Sequence, residues 1–156
     1  MERVYLFLLL QLAVSMYAVL RGGGPERIVG LALLIAAALG LLVQDRPMSG
    51  TFISVDWSLL AIDLGLLAVL IAVALNSDRY WPLWVAAFHV LGTGAHLVRG
   101  IDHGIEPVAY AILLASWSYP IVILLAVGTL RHGDRRKRHG HDLDWSFPLL
   151  GAPRAG

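Results

Sequence analysis

Apolar residues along this chain fall in long blocks rather than in stripes of helical or strand period. Five blocks approach the length of a bilayer span: 4–20, 28–43, 57–75, 81–98 and 108–130. The hydrocarbon core takes about 20 residues of helix, with a range of about 17–25. Each block therefore predicts a helix, and the second is the shortest. Blocks that are apolar on every side predict lipid as the solvent, because a surface helix of a soluble domain keeps a polar face. A spanning strand would have to alternate and close into a barrel, and these blocks do not alternate. The expectation is an all-α, polytopic transmembrane bundle of about five helices over residues 1–130, followed by a basic C-terminal tail over 131–156.

The breaks fit this division. Arg21-Gly22-Gly23-Gly24-Pro25-Glu26-Arg27 ends one helix on glycine and opens the next after proline. Asn76-Ser77-Asp78-Arg79 is a tight turn, and the Tyr80-Trp81-Pro82-Leu83-Trp84 that follows it resembles an interfacial aromatic belt. Asp56 is placed to cap the third helix, and Pro107 to open the fifth. The first block also competes with a cleavable signal peptide. Its start, Met1-Glu2-Arg3, is not strongly basic and no small-x-small site precedes Arg21, which favours a retained helix.

Composition narrows the class further. Hydrophobic residues make up 58% of 156 and charged residues 15%, too little charge to cover a soluble domain of this size. Cysteine is absent, which excludes disulfides, thiolate metal sites and cysteine nucleophiles. Lys and Arg in the connections set orientation. Arg21, Arg27, Arg79, Arg131, Arg135, Arg136, Lys137 and Arg138 lie on one side, against Arg3, Arg46 and Arg99 on the other. That asymmetry predicts a cytoplasmic C-terminus and, with five helices, an external N-terminus.

Ionisable residues at membrane depth are the main chemical clue, since they are costly there and face protein or water rather than lipid. Asp63 lies in the third block, His89 and His96 in the fourth. At ~1.5 Å per residue Asp63 lies ~10 Å below the outer end of its helix, between the two histidines in depth. The short turn at 76–79 makes the two helices antiparallel neighbours. Asp56 and Asp63 are seven residues apart, as are His89 and His96, with His103 seven further on. Heptad spacing keeps residues on one face. The result is a candidate polar seam, with Asp56, Asp102, His103 and Glu106 at its outer mouth. It reads either as a proton path or ligand pocket, or as interhelical hydrogen-bond glue.

Haem is disfavoured because both intramembrane histidines share one helix face and cannot grip a ring from opposite sides. A zinc or copper site at the mouth lacks HxxxH or HExxH spacing. No metal and no resident cofactor is therefore predicted, with haem or a quinone the residual candidates. The fifth block carries Ser116-Trp117-Ser118-Tyr119-Pro120. Proline there predicts a kink. Ser116, Trp117 and Tyr119 are candidate lining for a quinone or lipid headgroup, or simply occupants of a satisfied bend.

The run Arg131–Arg138 predicts attraction to anionic lipid, and it is too short and too near the membrane to suggest nucleic acid. Trp145, Phe147 and Leu149 predict docking on the membrane interface or on a partner. No GxSxG, P-loop, HExxH or GxGxxG motif is present in a supporting context, so no catalytic residues are assigned and no enzyme activity is favoured.

Residues 77–84, with Trp117-Ser118-Tyr119-Pro120 and Gly128-Thr129 before the basic run, resemble small inner-membrane proteins of sphingomonad-type alphaproteobacteria. That resemblance implies a bacterial inner-membrane location and this fold. It carries no activity and no functional residues. Small size, short loops and a tail with a hydrophobic end favour an accessory or scaffolding subunit of a membrane complex, with a membrane-protein partner or a homo-oligomer. The alternative is a small proton-coupled or quinone/lipid-like ligand-binding protein using Asp63, His89 and His96.

Overall fold

A computed structural model describes residues 2–44, 57–101, 107–139 and Trp145, with the backbone alone at 2–4, 44, 95–101, 107–115 and 139. The described chain is helical apart from its turns and one isolated bridge between Ser77 and Trp145. Five helices follow in order: α1 (Glu2–Arg21), α2 (Gly24–Gln44), α3 (Trp57–Asn76), α4 (Trp81–Ile101) and α5 (Pro107–His139). Each predicted block becomes one helix.

Local chemistry sets the ends. The Gly22 amide donates to the Ala18 carbonyl at 2.8 Å, closing α1. A Cβ on Gly22 would collide with that carbonyl and with the Glu26 side chain, so glycine lets Glu26 lie over the turn. Pro25 falls in the first turn of α2, where its missing N–H leaves no helical bond unmade. At the end of α3 the Asn76 Nδ2 donates to the Ala72 carbonyl at 2.8 Å and the Ser77 amide to the Val73 carbonyl at 2.9 Å. Pro107 opens α5 as expected. Asp56 lies outside the described residues.

α5 continues past its apolar block, and residues 131–139 form its last turns. Arg and Lys are good helix formers, and positive charge complements the C-terminal end of the helix dipole.

Consecutive helices pack side by side, and α5 returns against α1, so the five form a closed ring. The α1–α2 turn, the α3–α4 turn and the end of α5 share one end of the ring. Ala18, Val29, Leu70, Val85 and Leu125 fill the interior on that side, each no more than 1% exposed. Close approach here depends on small residues. A Cβ on Gly30 would lie 3.0 Å from the Ser15 carbonyl, and one on Gly128 would lie 2.9 Å from the Trp81 ring.

The outer surface is strongly apolar. Leu6, Leu20, Leu42, Leu75 and Ile123 are all more than half exposed. Among the described residues, Gly24–Val43 and Trp57–Asn76 are long and apolar enough to cross a membrane, and Tyr5–Arg21 is a shorter apolar helix.

Candidate functional site

Asp63 on α3 and His89 on α4 meet across the helix pair that the short turn joins. The His89 Nε2 lies 3.0 Å from the backbone carbonyl of Asp63. A carbonyl only accepts, so in the neutral imidazole the proton is on Nε2 and Nδ1 is left as an acceptor. Both side chains are half-buried. His96 lies further along α4 and its side chain is outside the described residues, as are Asp102, His103 and Glu106.

Asp63 and His89 wall a half-open cavity of about 550 Å³. Phe7 and Leu8 of α1 and Ala36, Ala37 and Gly40 of α2 form its apolar side, and Tyr5 adds a phenol. Gln11 adds an amide whose Nε2 donates to the Leu33 carbonyl at 3.2 Å. A second space of about 240 Å³ adjoins it, sharing Gly40, Asp63, His89 and Ser118. The second space is faced by Phe88 and Trp117, whose rings stack at 6.1 Å with an interplanar angle of 26°. Volumes of about 300–1,000 Å³ with few convergent polar groups are typical of small-molecule sites.

The expected lining from α5 shifts in phase. Trp117 lines the second space, whereas Ser116 is exposed. Tyr119 turns its ring edge to Phe7, with centroids 4.9 Å apart. Ser118 lines both spaces instead. At about 100° per residue only part of a four-residue run can face the interior, and Ile121 and Val122 mark that face.

Leu33, Leu66 and Val122 also line the cavity. Past them the buried Val29, Leu70 and Leu125 pack with Val85 and Ala18 as one apolar layer. About 10 Å of helix separates the level of Leu33 from that of Glu26.

Beyond that layer lies a polar cluster that the sequence did not reveal. Arg79, from the α3–α4 turn, pairs through Nη1 with Glu26 Oε1 on α2. Its Nη2 lies 3.1 Å from Nδ1 of His132 on α5. Glu26 is fully buried, and the side chain of Arg79 is 6% exposed. Arg27 adds an Nε bond to the Gly22 carbonyl at 2.9 Å. Trp145 also lies here. It pairs with Ser77 as an antiparallel bridge, and its indole packs where a Cβ on Gly24 would come within 2.9 Å. Trp145 thus docks on the bundle's own end, where interface or partner docking had been expected. The sequence places Arg79 in a tight turn on the Arg-rich side and His132 within the basic run. They are internal because three turns and helix ends converge on them.

Among the described residues no group of three or more His, Cys, Asp or Glu side chains is placed to hold a metal ion. No protein family, curated protein or solved structure matches this chain.

Proposed function

We propose that the chain is a multi-pass protein of a bacterial inner membrane, N-terminus outside and C-terminus inside, that binds a quinone- or lipid-like amphiphile in the cavity beside Asp63 and His89. The observation that carries this reading is the cavity itself. About 550 Å³ of mostly apolar lining converges on one carboxylate and one imidazole. The apolar exterior supports the membrane setting, because contiguous exposed apolar surface on this scale calls for lipid or protein to cover it.

Orientation has its own test. Alkaline phosphatase fused after Arg46 is expected to be active, and fused after Arg138 inactive. Activity from the Arg138 fusion would reverse the orientation.

Binding is tested with a short-tailed benzoquinone added to the protein in nanodiscs. Trp117 is one of five tryptophans and belongs to the cavity wall. Saturable fluorescence quenching is expected, and its saturable part should vanish in Trp117→Phe. Quenching that rises only linearly with partitioned quinone, and is equal in the variant, would count against the site.

The accessory-subunit reading rests on a different feature. An apolar groove of about 510 Å³ runs between α2 and α3, past Ile35, Ala61 and Gly65. Small residues of this kind admit a partner helix closely. The cavity, with its polar groups, makes ligand binding the first reading and the subunit role the second.

A further inference from the structure

One end of the ring changes from apolar to charged within a single helical turn. Leu20, Leu75 and Leu130 are each more than half exposed. The next residues on α1 and α5 are Arg21 and Arg131, both exposed. α2 meets the same boundary from the other direction, with exposed Arg27 beside exposed Ile28. The contacts of Arg79 with Glu26 and His132 hold α2, α5 and the α3–α4 turn at one level. α1 runs in the same direction as α5, and the Phe7–Tyr119 contact sets their register. At ~1.5 Å per residue that register puts Arg21 level with the last turns of α5. Among the described residues at this end, Arg21 and Arg27 therefore join Arg131, Arg136, Lys137 and Arg138 as exposed cations, against two exposed acids, Asp78 and Asp134. Arg79 and His132 are turned into the buried cluster and Arg135 is half-buried, so the outward charge is carried by the others.

Resting on the membrane setting proposed above, and not on the cavity, we infer that this rim binds the phosphate headgroups of anionic lipids, and that the α1–α2 turn acts in it together with the basic end of α5. The chemistry favours a lipid over a soluble polyanion. Exposed leucines adjoin the cations directly, so one ligand has to cover apolar and positive surface at once. A phospholipid does so with its acyl chains and its phosphate. Tyr80 and Trp84, both more than half exposed, lie at the same boundary, and amphipathic rings favour the headgroup level. Five of the six cations are arginines, whose guanidinium fork matches phosphate oxygens.

The test purifies the full chain from detergent micelles holding equal phosphatidylglycerol and phosphatidylcholine of the same acyl composition, and quantifies the retained lipid by mass spectrometry. Phosphatidylglycerol is expected to be enriched at least about fivefold, the weight of a single basic side chain near an anionic surface. Raising the salt from about 0.1 M to about 1 M should lower the enrichment, since the screening length falls from about 10 Å to about 3 Å. Arg136→Gln with Arg138→Gln, and Arg21→Gln with Arg27→Gln, should each lower it by a comparable factor. Arg27 also bonds the Gly22 carbonyl, so Arg21→Gln is measured alone as well and should show part of the loss. A loss confined to the α5 variant, with Arg21→Gln at the wild-type value, would overturn the shared rim. Equal retention of the two lipids by the wild-type chain would overturn the inference and leave the membrane setting in place. That setting is read separately, from flotation with phosphatidylcholine vesicles after detergent removal. A chain that does not float with them would overturn the setting and this inference with it.

Discussion

Arg79→Ala is expected to destabilise the bundle by about 3–5 kcal/mol, the range for removing one partner of a buried ion pair. Glu26 is fully buried and its Oε1 pairs with Arg79. Without the guanidinium, a carboxylate would remain in the interior with no counter-charge across the α3–α4 turn. His132 would lose its contact with the guanidinium as well. Removing both charges together is expected to cost much less, because an apolar pair of similar volume leaves nothing unpaired. Glu26→Leu combined with Arg79→Met should therefore be closer to wild type than Arg79→Ala alone. Thermal unfolding of all three proteins in one detergent measures this. An Arg79→Ala protein within about 0.5 kcal/mol of wild type, the range of ordinary surface changes, would show that the pair is effectively solvated.

Gly40→Leu is expected to abolish ligand binding while leaving the fold intact. Gly40 borders both spaces of the cavity, and a Cβ built on it meets nothing within 4 Å. A leucine there extends into the volume the ligand would occupy. Stability should not fall, because glycine inside a helix is about 1 kcal/mol less favourable than a good helix former. Unfolding and binding measured on the same preparation separate the two effects. A Gly40→Leu protein that still saturates with the short-tailed benzoquinone at wild-type affinity would place binding elsewhere.

Most of the helical architecture was legible in the sequence because each element contains one long apolar block bounded by turn-forming residues. Pro25, Pro107 and Gly22 marked ends for stereochemical reasons that hold in any fold. The α5 end was not legible at Leu130. Hydropathy changes there, whereas helix propensity does not, and the Arg-rich segment simply continues the helix. Depth and turn length were enough to bring Asp63 and His89 together, but not to choose between carboxylate and backbone carbonyl as the partner. Helical phase decided between Ser118 and its neighbours Ser116 and Tyr119, and phase within a short polar run is invisible without the packing. The Glu26–Arg79–His132 cluster was missed for another reason. Each of its two contacts through Arg79 spans 53 residues, and each residue alone reads as a charge at a helix end, where solvated charge is the ordinary outcome. The one available signal was a glutamate following Gly-Pro in a turn crowded with glycine.

The most direct test of ligand binding at Asp63 and His89 is mass spectrometry of small molecules retained by protein extracted natively into nanodiscs from its own membrane, wild type beside Gly40→Leu. A ring-bearing amphiphile with an apolar tail is expected at near-equal amounts with the wild-type chain and absent from Gly40→Leu. The same small molecules at the same levels in both proteins would contradict the site, and a stoichiometric protein partner found in both would instead favour the subunit role.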